Sequence, residues 1–120
     1  MLESPPMGKE NLQIISSVGP NGGKVLHLKG SLNIHTVFNF QDVVRAETVP
    51  SLILDFSEVP YIDSAGLGVL VGIHIGAQKA MRRLAFAGMN TQVKALMDMT
   101  KVSQLFQTYP TVKDAEAALS

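Results

Sequence analysis

The sequence predicts an α/β domain: a mixed four-stranded sheet with helices packed largely on one face. Three observations carry this reading. Two apolar runs, "NLQIISSV" and "KVLHLKG", flank the turn-forming "GPNGG"; a continuously apolar "SLILDF" follows; and stretches with apolar residues three and four apart alternate with the later runs. The first pair reads as a hairpin, and two strand-helix-strand passages imply parallel pairing for the rest.

The elements follow in order. Leu12, Ile14 and Val18 fall at even spacing, the period of a strand with one buried face, although Ile15 blurs the alternation. After the break at residues 19–23, Leu26 and Leu28 share one side of a second strand and Lys24 stands at its margin. Ile34, Val37, Phe38, Phe40, Val43 and Val44 then predict a helix over residues 35–47, with Asn33 near its N-cap. "SLILDF" suits a central strand covered on both faces. Residues 64–80 form a second helix in which Gly68, Gly72 and Gly76 recur every fourth residue. Each costs about 1 kcal/mol against alanine, so a close approach of a neighbouring backbone is expected there. "RLAFAGM" is a fourth strand. "NTQVKALMDMTKVSQLF" reads as one helix with Val93, Leu96, Met97 and Thr100 on a stripe, and "PTVKDAEAAL" as a last short helix whose capping box is Thr111 and Asp114.

The chain has 120 residues, one domain's worth. Ten basic and ten acidic side chains cancel, which argues against nucleic acid or anionic lipid as the main partner. There is no cysteine, in keeping with a reducing cytoplasm and without thiolate metal sites. Residues 1–10 lack the basic start and apolar stretch of a secretory signal and read as a flexible lead-in to a single domain at residues 11–119. The most apolar segment, residues 65–77, contains His74 and falls short of the ~20 residues of a membrane span. A soluble protein without a cofactor is expected.

The stretch "YIDSAGLGVLVG" holds the residue that most needs explaining, Ser64. As a nucleophile it would require a base, yet "IDSAG" lacks the first glycine of a G-x-S-x-G elbow. His74 lies ten residues along the same helix, ~15 Å away at 1.5 Å per residue, and neither His27 nor His35 carries a triad or metal spacing. "GLGVLVG" has the wrong glycine interval for a dinucleotide fingerprint, and no Walker lysine is present. A cap at Asp63 or Ser64 is physically sound and worth about 1 kcal/mol. It is also compatible with a third role, since a phosphate added at a helix N-terminus meets unpaired N–H donors.

The stretches "LILDFSEVPYIDSAGLGVLVG" and "LAFAGMNTQVKALMDMTKVSQLFQTYPTVKDAEAAL", with "LKGSLN" closing the hairpin, closely resemble the STAS domain of bacterial anti-sigma factor antagonists. The resemblance covers nearly all of residues 11–119 and implies the STAS fold. It identifies Ser64 as the serine of the D-S-x-G-L motif, which in that family is phosphorylated by a partner that is both anti-sigma factor and kinase and is reset by a metal-dependent serine phosphatase. It implies a cytoplasmic, non-enzymatic binding module with no direct nucleic-acid contact, for which a homodimer is a further candidate assembly. With the ends of the second and third strands side by side, the expected partner surface comprises Asn33, Ile34, Thr36, Asp63, Ala65, Gly66 and Leu67, the small residues admitting a partner's backbone. Two positions depart from the family pattern: Asn33 stands for an aspartate, and Lys101 for a glycine. Family members also serve in stressosomes and lipid-transport complexes without a sigma factor, which is the alternative role; a small serine hydrolase is the distant one.

Overall fold

A computed structural model describes residues 11–120; the predicted lead-in at residues 1–10 lies outside them. The sheet has the strand order β1-β2-β3-β4-β5, from β1 (Gln13–Val18), β2 (Lys24–Lys29), β3 (Ser51–Glu58), β4 (Arg83–Ala87) and β5 (Thr108–Tyr109). β1 and β2 pair antiparallel around a 3-10 turn at Pro20–Gly22, and every later pair is parallel. The mixed sheet is the predicted one with a fifth strand added. Only two residues long, β5 has no period for the sequence to display.

Helices α1 (Val37–Ala46), α2 (Ser64–Lys79) and α3 (Thr91–Met99) cover one face, and α4 (Val112–Leu119) covers part of the other. Side chains alternate across the pleat accordingly. Leu26, Leu28, Leu52, Leu54 and Phe56 join Phe40, Leu70 and Met97 in the larger core, while Val25, Ile53, Ala85 and Ala87 meet Ala115 and Leu119 beneath α4. β3 is thus buried on both sides, as its continuous apolar run requires. Phe86 links β3 to the chain beyond α3, with ring centroids 5.9 Å from Phe56 and 4.6 Å from Phe106.

Several local expectations change. Val18 is 86% exposed, because it sits at the hairpin end of an edge strand, beyond the helices' cover. α1 starts at Val37, with Thr36 as its cap residue, and Asn33 instead holds the turn before it: its Oδ1 accepts from the His35 N–H at 2.9 Å and its carbonyl from the N–H groups of Thr36 and Val37. The long third helix breaks after Met99. Lys101 takes the left-handed conformation (φ 64°, ψ 12°) and a 3-10 turn follows at Val102–Gln104. Thr100, expected on the apolar stripe, is exposed and donates its hydroxyl to the Leu96 carbonyl at 2.8 Å. The glycine expectation fails too: a Cβ on Gly68, Gly72 or Gly76 would meet nothing within 4 Å. The close approach lies at Gly66, where a Cβ would stand 2.5 Å from the Leu32 carbonyl oxygen.

Candidate functional site

The parallel pairing of β2 and β3 ends both strands at the same edge, and the segments leaving them stay together. Gly30 N–H donates to Glu58 O at 3.0 Å, Leu32 N–H to Tyr61 O at 3.1 Å, and Asp63 N–H back to Leu32 O at 3.1 Å, an isolated parallel bridge between Leu32 and Ile62. The Asn90 amide, at the cap of α3, supports the second segment by donating to the carbonyls of Val59 at 3.3 Å and Pro60 at 3.2 Å.

Asp63 fastens this junction. Its Oδ1 accepts from Gly66 N–H at 2.9 Å, capping α2, and its Oδ2 accepts from Ile34 N–H at 3.1 Å, tying the loop before α1 to the start of α2. One carboxylate therefore satisfies donors on two elements, and negative charge at a helix N-terminus is favourable in itself. Of the two capping candidates in the sequence, Asp63 is the cap. Ser64 is the first helical residue, exposed, and its hydroxyl makes no hydrogen bond within the chain among the described residues. The N–H groups beside it belong to the first turn, which has no intrahelical acceptors.

The sequence-predicted surface residues gather here with distinct parts to play. Ile34 is 52% exposed, and Ala65 is half-buried. Thr36 is only 4% exposed; its hydroxyl donates to Ser31 O at 3.0 Å and accepts from Asn33 N–H at 2.9 Å, which explains why it makes no side-chain cap for α1. Gly66 and Leu67 are buried as well, and the approach that Gly66 permits is that of the chain's own Leu32, in place of the partner backbone expected from the sequence. Asn33 shapes the loop with a side-chain oxygen of the kind an aspartate would also offer, and carries a neutral amide in place of a carboxylate. Exposed Tyr61, whose carbonyl accepts from Leu32 N–H, borders the junction, and Phe38 stands 64% exposed in the first turn of α1; both were missed. The available signal was that Phe38 falls off the buried stripe of Val37, Phe40 and Val44.

A second polar constellation was also unforeseen. Asp55 Oδ2 lies 2.7 Å from His27 Nδ1, and His27 Nε2 lies 2.9 Å from Ser17 Oγ, a chain running across β3, β2 and β1 on the α4 side of the sheet. Burial disfavours ionisation of Asp55, but hydrogen bonds from His27 and from Ser57 outweigh it and hold the carboxyl below its ordinary range. These three residues line none of the cavities that open beside α2 and α3. Among the described residues, no group of three His, Asp or Glu is placed to hold a metal ion, and no helix is long and apolar enough to cross a membrane.

This architecture, a short mixed sheet with its strand ends knitted to the capped start of a helix, defines an α/β domain whose most distinctive polar feature is that helix N-terminus. The STAS domain family model matches residues 11–115, and the chain belongs to that family. Among solved structures it is similar to an anti-sigma factor antagonist from Mycobacterium paratuberculosis, with 21% identity over 97% of each chain and a TM-score of 0.82. A Thermotoga maritima protein proposed to be an anti-sigma factor antagonist is 24% identical over 85% of this chain and 90% of its own, with a TM-score of 0.79. The phosphorylated Bacillus cell fate determinant SpoIIAA is 14% identical over 88% and 99%, with a TM-score of 0.68. At these identities the likeness is one of fold.

Proposed function

We propose that this protein is an anti-sigma factor antagonist switched by phosphorylation of Ser64. The observation that carries the reading is the division of labour at the start of α2: Asp63 holds the cap and the neighbouring loop, while the Ser64 hydroxyl stands exposed without a structural bond. In this reading the unmodified chain acts in the cytoplasm as a binding module, not as a catalyst. It docks through Ile34, Asp63, Ala65 and the surface around Ser64 onto an anti-sigma factor that is also a serine kinase, with Asn33, Thr36, Gly66 and Leu67 setting the shape of that surface. A phosphoserine brings about −1.5 to −2 charges beside the Asp63 carboxylate into a surface that must lose water on docking, so repulsion and dehydration oppose the complex. The metal ions and base for phosphoryl transfer belong to the kinase, and a metal-dependent phosphatase restores the hydroxyl. The likeness of fold to anti-sigma factor antagonists supports the assignment.

The test is incubation with an anti-sigma factor of the kinase type and ATP, followed by mass spectrometry of proteolytic fragments. Phosphate on Ser64 is the expected result. Modification of Ser57 or Thr91 with Ser64 untouched would overturn the assignment.

A further inference from the structure

At the far end of α2 from Ser64, a cavity of about 340 Å³ opens between α1, α2 and the start of β4. This lies within the range of small-molecule sites. Its floor is aliphatic, from Val44, Leu52, Ile73 and Leu84, and its lining contains no acidic and no aromatic residue. Three arginines stand around it. Arg83 is committed elsewhere, donating to the carbonyls of Leu119 at 2.9 Å and Ala118 at 3.1 Å, whereas the guanidinium groups of Arg45 and Arg82 have no acceptor in the chain among the described residues. Gly72 and Gly76 form part of the wall, and a Cβ on either would touch nothing. Glycine weakens a helix interior, and here the space it leaves is filled by no neighbour from the chain.

We propose that this groove binds a small amphiphilic anion: a single unbranched hydrocarbon chain lying along the glycine wall over the aliphatic floor, with a carboxylate or phosphate head held by Arg45 and Arg82. The apolar floor takes the chain out of water, and guanidinium groups without partners are matched to a carboxylate or phosphate fork. The lack of an aromatic ring leaves a nucleobase no stacking surface, and the lack of an acid leaves a cationic head no counter-charge. The inference rests on this groove alone and not on the role of Ser64.

Decanoate below its aggregation concentration is the probe, titrated into the ¹⁵N-labelled chain and followed by amide shifts. Saturable shifts at Gly72 and Gly76 are expected, with decanol binding at least tenfold more weakly and acetate producing no such shifts. Gly72→Leu should fill the wall and abolish binding with the fold retained, and the double variant Arg45→Ala/Arg82→Ala should weaken binding tenfold or more, which decides the matter if the leucine variant fails to fold. The proposal is overturned by absence of saturable shifts at the two glycines, by equal affinity for decanol, by unchanged affinity in a folded Gly72→Leu or in the arginine variant, or by binding to anionic phospholipid vesicles without binding to decanoate.

Discussion

Two glycines on one helix should respond oppositely to the same added methyl group. In Gly66→Ala the new Cβ would stand 2.5 Å from Leu32 O and 3.2 Å from both Leu32 C and Cγ. An ordinary carbon–oxygen contact is about 3.3 Å or more, so the carbonyl must retreat by roughly 0.8 Å. That carbonyl also accepts the Asp63 N–H at 3.1 Å, so the retreat strains the bridge between the two loops. Overpacking of this kind costs about 1–3 kcal/mol, and the better helix propensity of alanine returns up to about 1 kcal/mol. Mid-range values, about 2 kcal/mol lost and about 0.5 kcal/mol returned, leave a net loss of about 1.5 kcal/mol, or roughly 6 °C in Tm at about 4 °C per kcal/mol for a domain of this length. Gly72→Ala meets no neighbour within 4 Å and should gain up to about 1 kcal/mol. Paired thermal and urea melts read both changes. A Gly66→Ala chain as stable as wild type, or a Gly72→Ala chain destabilised to a similar extent, would refute the packing argument for this junction.

Other consequences can be measured on the same footing. Because Asp63 supplies the cap, Ser64→Ala should stay within about 0.5 kcal/mol of wild-type stability and still bind an anti-sigma partner, whereas Ser64→Asp should fold and bind measurably more weakly by calorimetric titration; equal affinity would remove Ser64 from the proposed switch. Lys101→Gly should raise the urea midpoint, with a gain of up to about 1 kcal/mol, since glycine accepts the left-handed conformation at φ 64° without the Cβ penalty; a lowered midpoint would show that lysine is favoured there. Asp55 has a depressed carboxyl pKa, so the stability it contributes is complete above its unfolded value of about 4 and is lost as pH falls through the lower folded value. The stability gap between wild type and Asp55→Asn should therefore narrow as pH drops below about 4, and a gap that widened there would contradict the assigned sign.

The sheet was legible because its strands are patterned by burial. The continuous run of β3 announced cover on both faces, and the even-spaced leucines of β2 announced the side turned to the helices. Features that depend on a single distant contact were not. Nothing in "GLGVLVG" tells that Gly68 and Gly72 face open space while Gly66, two residues upstream of Gly68, lies against Leu32. Nothing in "TKVSQLF" requires the helix to stop, since lysine is a good helix former; distant contacts draw the chain back toward the sheet, the packing of Phe106 against Phe86 and His74 and the pairing of β5 with β4. Ser17, His27 and Asp55 are far apart in sequence and meet only because their strands are neighbours.

At the candidate site the sequence left capping and modification as compatible roles for one short segment; the geometry gives the cap to Asp63 and leaves the Ser64 hydroxyl exposed. Had Ser64 been the cap, its hydroxyl would be engaged with a backbone N–H, and modifying it would trade helix stability for signal. With Asp63 as the cap, both carboxylate oxygens are engaged, one to Gly66 and one to Ile34, and the carboxylate holds the two loops together without help from the Ser64 hydroxyl. A charge added to Ser64 would then act mainly on what approaches from outside, because the surface it alters is built on bonds it does not share. At Asn33 the loop shape draws on the side-chain oxygen that accepts the His35 N–H, an acceptor that an aspartate would also offer, with a charge in addition. The bonds that set the shape of this junction are thus made by Asp63 and Asn33 and not by the Ser64 hydroxyl, a condition under which a covalent modification of that hydroxyl can change binding and leave the fold in place.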